Sequence, residues 1–457
     1  MPYNPPISMH HHSRSSLTPR RGVSMAGCVV PGWRRGSSSV LTAVVAACLL
    51  AAGAPAFAQT TPTTPTTPTT PTTPATEGLT LSQTLLTLSR SGGAAPIGEA
   101  IALATALDVS TSWLPTASPG FVYKVDPTTG LRVRQSTSFG PSFGHRALTS
   151  GEGKVAAYAS VSATSYERIG DLSLDRLPLF TATGPTAAAT RRGLASLVIN
   201  SETLTLSGSV GVTDRFDLAV SVPMIRVKID GIAWTEDGSG NVYALANGTG
   251  TATGLGDIAV TGKFRLSSFG QGPPDPGGFA VVGTMRLPTG DREHFRGLGI
   301  SRTMGSLVYS SGTGRFRPHA SAGFEFWSDG IDLATDATGR GTVTARHQIQ
   351  YNAGLELEAT PKVTILADLL GRHILGAGRI GYRTDTVDAT SPLGLIGATS
   401  VESLVGLDKG LQRLVLAPGV KVNIKGNLLL SLSALATLRD TGLHDRIIPV
   451  AGLEWSF

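Results

Sequence analysis

Polar and apolar positions alternate along much of this chain, and the stretch QIQYNAGLELE shows it most plainly. Ile349, Tyr351, Ala353, Leu355 and Leu357 fall on one side of an extended backbone, and Gln348, Gln350, Asn352, Glu356 and Glu358 on the other. A period of two is the signature of a strand whose faces meet different surroundings. From about Gly153 the same pattern predicts twelve strands, at 153–166, 195–212, 216–229, 256–267, 278–288, 297–311, 316–328, 346–359, 362–374, 411–424, 427–439 and 446–457. Most are about 10–14 residues long, which suits a tilted crossing of a bilayer. Alternation by itself fits a soluble sandwich equally well, since only the identity of the two solvents differs.

The connections separate these cases. The long ones fall at 167–194, 230–255, 289–296, 329–345, 375–410 and 440–445. The short ones fall at Thr213–Arg215, Ser268–Gly277, Gly312–Arg315, Thr360–Pro361 and Lys425–Gly426. Long and short take turns along the chain, although 440–445 is brief for a long loop and 268–277 is the longest of the short set. That is the up-and-down plan of a bacterial outer-membrane barrel. The final run, RIIPVAGLEWSF, puts Leu453, Trp455 and Phe457 on one face. In a closed sheet the last strand pairs with the first and no edge is left exposed. Gly452, Trp455 and Phe457 read as the C-terminal signal that barrel-assembly machinery recognises, with Val450 departing from the polar residue usual there. The predicted fold is therefore all-β: an up-and-down antiparallel transmembrane β-barrel of about twelve strands over 151–457.

Composition agrees with a barrel. Charged residues are 15% of the chain, against roughly 25% in soluble domains. Past the N-terminal region no apolar run reaches the roughly 18 residues that a membrane helix needs. Residues 1–58 read as a secretory signal, with Arg34 and Arg35 before an apolar run that ends Ala56-Phe57-Ala58. Met25 is an alternative start of translation. The apolar run continues past Cys48, against a lipoprotein box at Val45–Cys48, and no twin-arginine motif surrounds Arg34-Arg35. Both cysteines, Cys28 and Cys48, lie in this segment, so the mature chain has no disulfide, thiolate metal site or cysteine nucleophile. Loss of the signal arginines lowers the formal charge of +6, and the charge gives no reason to expect nucleic-acid binding. Residues 59–78 form a Thr/Pro-rich linker with five TTP triplets from Thr60 to Pro74, a spacer of about 45 Å if extended. Residues 79–150 contain two short helical patterns and the hairpin-like FVYKVDPTTGLRV, and could plug the barrel, cap it or lie outside it.

Four stretches, SFGPSFGHRALTSGEGKV, GVTDRFDLAVSVPMIRV, GLGDIAVTGKFRL and VVGTMRLPTGD, resemble the outer-membrane transporters grouped as the MetA-pathway-of-phenol-degradation family. The resemblance spans about Gly120 to Phe457. It implies a barrel in the outer membrane that passes small hydrophobic or aromatic molecules, reached by export through a cleaved signal peptide. It brings no catalytic residues.

Charged residues on the polar face are the candidate functional positions. Lys263 and Arg265 alternate with Phe264 and Leu266, and Arg286 lies between Met285 and Leu287. Arg226 and Lys228 alternate with Ile225, Val227 and Ile229, whereas upstream Leu218, Val220 and Val222 face outward, so a bulge at Pro223 is expected to reconcile the two halves. His319, Glu325, Glu356, Asp368, Lys421 and Glu454 complete the set. Against lipid each charge would cost about 2–4 kcal/mol at mid-bilayer, so these residues are expected to line the lumen. Two readings follow: a salt-bridge network that fills a narrow barrel, or a pore lining with a basic stripe (Arg226, Lys228, Lys263, Arg265, Arg286) that attracts anionic solutes. No nucleophile elbow, metal-ligand spacing or phosphate loop occurs, and neither an enzyme nor a cofactor is expected. The partners expected are outer-membrane lipid, the assembly machinery and a small hydrophobic or aromatic solute. A structural or surface-interaction barrel with a sealed lumen is the alternative.

Overall fold

A computed structural model describes residues 78–91, 95–116, 118–125, 129–270, 275–312, 314–334, 342–386 and 400–457. The segment 1–58 read as a signal, its expected cleavage site, both cysteines and the TTP triplets lie outside these residues. Twelve antiparallel strands form the wall: β1 Val155–Tyr166, β2 Arg191–Thr213, β3 Phe216–Asp237, β4 Ala259–Ser268, β5 Gly277–Arg286, β6 Arg302–Ser311, β7 Phe316–Trp327, β8 Thr342–Thr360, β9 Val363–Asp385, β10 Ser400–Lys425, β11 Leu428–Asp440 and β12 Ile447–Ser456. Each pairs with its neighbour in sequence, and β12 pairs with β1 from Val450↔Ser162 to Ser456↔Ala156, which closes the ring. The Phe457 amide donates to Val155 at 2.8 Å. The sheet is a closed twelve-stranded barrel, as the alternation predicts.

Tight turns define one end. Thr213 caps its turn by accepting from the amides of Arg215 and Phe216, and Gly426 turns β10 into β11 at φ +58°. At the other end the strands run on past any bilayer. β2 and β3 stay paired from Thr213↔Phe216 to Arg191↔Asp237, a ribbon of about 70 Å at ~3.4 Å per residue. A strand at Val242–Leu255 pairs along the upper part of β3 and widens this ribbon, and Leu177–Thr183 bridges β2 and β10.

The outer surface of the lower barrel is apolar on strand after strand. Leu206, Val220, Phe264, Val281, Leu307, Phe324, Tyr351, Ile365, Leu432 and Trp455 are all exposed. A continuous belt of this extent has no place in water and matches the hydrocarbon-facing band of an outer-membrane barrel. Aromatic groups mark its rims. Phe279 lies 5.5 Å from both Phe269 and Tyr309 near the tight turns, with Trp455 and Phe457 4.4 Å apart, and Phe326 stacks on His347 at 4.8 Å toward the long loops. Phe316 and Phe326 of β7 are ten residues apart, which is about 26 Å of height at a tilt of ~40°.

The chain before the barrel lies inside it. Two helices, α1 Leu81–Ser91 and α2 Ala95–Ser110, sit at the long-loop end. Leu81, Leu85 and Leu88 form one stripe of α1. Around α2 apolar residues recur on every side, as expected for a helix packed all round. Ile97, Ala100, Ile101, Ala104 and Leu107 are buried. The helices approach so closely that a Cβ on Gly98 would sit 2.0 Å from Ser89 Oγ. With Ile225, Val227 and Ile229 of β3, Leu197 and Ile199 of β2, and Leu177, Leu179 and Phe180 from the 167–190 connection, they make the largest apolar core.

This core explains the β3 pattern and corrects the expected bulge. The β2–β3 register runs without a shift through Thr205↔Pro223, and Leu218, Val220, Met224, Arg226 and Lys228 all point outward. What inverts at Pro223 is the surroundings. Below it the outside is hydrocarbon and the inside polar. Above it the outside is water and the inside is the helix core.

Candidate functional site: the filled lumen

From α2 the chain descends through the lumen as residues 111–122 and makes a hairpin, Tyr123–Val125 with Arg132–Arg134, at the tight-turn end. Residues 135–150 then climb partway along the inner wall and return to β1. The Tyr123 amide donates to Ser150 at 3.2 Å and the Thr116 amide to Ser142 at 2.9 Å, so the descending and returning limbs are tied together. We call residues 111–150 the plug.

Charged wall residues hold the plug mainly by its backbone. Glu454 accepts from the Gly120 amide at 2.6 Å. Lys421 donates to the carbonyls of Phe139 and Pro141 at 3.2 and 2.9 Å. Glu356 accepts from Ser138 Oγ at 2.5 Å and the Gly140 amide at 3.1 Å. Asp368 accepts from the Phe143 amide at 3.2 Å and pairs with His319 Nε2 at 2.7 Å. Lys263 donates to the Leu148 carbonyl at 2.6 Å and Ser118 Oγ at 3.0 Å, and lies 3.3 Å from Asp217, which in turn accepts from the Ser150 amide. The plug's own Arg146 reaches back to the carbonyls of Pro119 and Gly120 at 2.8 and 3.0 Å. Each pairing meets the demand of a buried polar group that has been taken from water.

Two clusters fix the top. Asp108, near the end of α2, receives Arg372 of β9 at 2.7 Å and also Arg413 of β10, which lies 2.8 Å from Asp440. Trp113 lies 5.1 Å from the Arg372 guanidinium and 5.6 Å from that of Arg413. Arg302 of β6 is fully buried, donates to Asp257 at 2.9 Å and to the Ser110 carbonyl at 3.0 Å, and lies 3.6 Å from Glu325. Glu325 also accepts from Trp327 Nε1 and Gln348 Nε2. Arg265 pairs with Asp275 at 2.7 Å in the 269–276 connection rather than with the plug.

The remaining basic candidates separate. Arg226 and Lys228 are not lumen residues. They stand on the outer face above the apolar belt, exposed, 3.6 Å from Glu202 and 2.8 Å from Asp230, because the outer surroundings there are aqueous. The five-residue stripe therefore does not form, and Lys263, Arg265 and Arg286 are the ones on the inner face. Sequence reasoning did not single out Asp108, Asp217, Asp257, Arg302, Arg372 or Arg413. The signal was available for Arg372 and Arg413, which share the parity of other inward positions on β9 and β10.

Beside the plug is a cavity of about 130 Å³. Residues 111–116, 118 and 119 bound it on one side and β2 to β9 on the other, with Thr261, Thr284, Ser306 and Ser321 offering hydroxyls and Trp113, Leu114, Phe143 and Met304 apolar surface. Arg286 lines it, and its guanidinium has no hydrogen-bond or ion-pair partner among the described residues. Asn352 also lines it, with both side-chain amide atoms buried and unpartnered. Among the described residues no cluster of His, Cys, Asp and Glu is placed to hold a metal.

No family model matches the chain, and no curated protein matches it. Among solved structures, an outer membrane channel from Pseudomonas putida F1 is 10% identical over 68% of this chain and 98% of that chain, with a TM-score of 0.41. The Pseudomonas putida toluene transporter TodX is 7% identical over 66% and 89%, with a TM-score of 0.30. The translocator domain of the autotransporter NalP from Neisseria meningitidis is 11% identical over 67% and 89%, also at 0.30. Likeness at this level carries nothing about function, and the barrel assignment rests on its own strand pairing.

Proposed function

We propose that the protein is an outer-membrane barrel for passage of small, partly apolar or aromatic molecules, with residues 111–150 as an internal plug that must yield for passage. The observation that carries this reading is that Lys263, Glu356, Asp368, Lys421 and Glu454 of the wall all bond to one continuous insert, beside the pairs that wall charges make with one another. A barrel built only to be solid can fill itself with side chains from its own strands. Here the filling is a covalent arm held by hydrogen bonds that water can replace. The cavity supports the substrate class. Its volume is close to the ~150 Å³ of an apolar cavity that holds benzene, and its lining pairs apolar surface with hydroxyls and one cation. The resemblance of the four motif stretches to the phenol-degradation transporters points the same way, and the apolar belt and signal-like N-terminal region support placement in the outer membrane.

The test is uptake of a benzoate-sized aromatic by proteoliposomes holding the wild type or Asp108→Asn, with folding checked by heat-modifiable gel migration. Uptake above protein-free vesicles, rising in the variant, is expected. Correctly folded protein that passes no solute in either form would overturn the proposal and leave a sealed structural barrel.

A further inference from the structure

The direction in which the plug is threaded has a consequence for the chain before it. Described residues begin at Gly78, at the long-loop end. There the Ser82 amide donates to the Glu293 carbonyl at 3.0 Å and Thr80 Oγ1 lies 3.4 Å from Glu293, within the 287–301 loop. A Cβ on Gly250, in the strand paired alongside β3, would meet Leu81 at 2.6 Å. From this end the chain passes through α1, α2 and the descending limb to the tight-turn end, where Val155 starts β1 beside Phe457. Between Gly78 and Val155 the polypeptide therefore crosses the barrel once, from the long-loop side to the tight-turn side.

We infer that the barrel carries its own N-terminal arm across the membrane, so that the Thr/Pro-rich linker lies on the same side as the long loops. Two other routes are closed to it. A return through the lumen would need room for a second extended chain along the whole barrel, and the cavity left beside the plug is about 130 Å³, walled by the plug and the strands. A return through lipid would put TTP triplets in hydrocarbon. Each unsatisfied backbone group there costs several kcal/mol, and proline every third residue can neither donate to a ladder nor continue a helix. In an outer membrane with long loops outward, the linker is displayed at the cell surface. This inference does not depend on what the barrel passes.

The chain from Gln59 onward has no cysteine, so single cysteines report cleanly. The test labels intact cells, then lysed cells, with a membrane-impermeant maleimide of high mass, using full-length chains with Thr73→Cys in the linker, Gln83→Cys on the exposed face of α1, Ser239→Cys in a long-loop turn and Lys425→Cys in a tight turn. The inference expects Thr73→Cys to follow Ser239→Cys, labelled to within about twofold in the same condition, whichever way the barrel faces. Gln83→Cys should do the same, which keeps the test decisive if the linker is trimmed by proteases. Thr73→Cys or Gln83→Cys labelled only under the condition that labels Lys425→Cys would overturn it.

Discussion

Asp108 is the residue whose loss should free the plug with least damage to the wall. Its carboxylate is 2% exposed and lies against two guanidinium groups that are equally buried. Asp108→Asn leaves Arg413 with Asp440 at 2.8 Å, but leaves Arg372 with no paired carboxylate, only the Thr111 carbonyl and the Trp113 ring, both of the plug. Removing one member of a buried ion pair costs about 3–5 kcal/mol, because the remaining charge stays desolvated. The helix end that carries Asp108 leads directly into 111–119, so the cost falls on the balance between seated and released plug. That is about 10²- to 10⁴-fold in the equilibrium. Hydrogen exchange reads it directly. The Thr111 amide bonds to Leu107 at 3.0 Å and the Thr116 amide to Ser142 at 2.9 Å. Both should exchange about 10²- to 10⁴-fold faster in the variant, while amides of β5 and β6 keep their rates. Unchanged exchange at Thr116, or equal acceleration throughout the barrel, would refute the view that this cluster is a latch.

Other consequences can be measured separately. Arg286→Met should lower proteoliposome uptake of an aromatic carboxylate by about tenfold, the order expected for losing one charge-assisted hydrogen bond, and leave uptake of a neutral aromatic of the same size little changed; an equal loss for both solutes would remove Arg286 from the passage route. Gly211→Val should reduce the yield of heat-modifiable barrel, because even a Cβ there would sit 1.9 Å from the Gly151 carbonyl oxygen, at the junction where the plug returns to β1. A fully folded variant at wild-type yield would show that this junction can shift. Partial burial pushes the Asp291 carboxyl in the 287–301 loop up, but the His294 ring at 2.7 Å, the Glu293 amide and Arg296 outweigh it and hold the group below the usual carboxylate range. A lowered carboxylate stabilises above its unfolded pKa, and the effect is lost as pH falls through the folded value. Asp291→Asn should thus speed exchange of the Arg296 amide at neutral pH and cease to matter once the wild-type carboxylate is protonated; a difference that persists at the acid end would contradict the assignment.

The strands were legible because each face of a barrel strand keeps one solvent over most of its length. QIQYNAGLELE alternates since Tyr351 and Leu355 meet hydrocarbon while Asn352 and Glu356 meet a polar interior. The two helical stretches were legible from apolar spacing, but not their place. Nothing local to LSQTLLTLSRS says whether its leucine stripe packs inside a barrel, beneath one or elsewhere. The exchange of faces at Pro223 is visible in the sequence, but its cause is not. A bulge and a change of surroundings give the same pattern of letters, and only the unbroken β2–β3 register separates them.

The sequence alone determined the strand plan, since a twelve-fold alternation with long and short connections leaves few structures in which every backbone group finds a partner in lipid. The tertiary structure decided what the inner charges are for. Asp108 of α2 finds Arg372 and Arg413, 264 and 305 residues away, and Glu356, Lys421 and Glu454 find partners 216 to 334 residues away, on a limb whose own letters carry no period. Which backbone carbonyl reaches which ammonium depends on how the arm is threaded through the ring, a property of the closed barrel that no stretch of sequence contains.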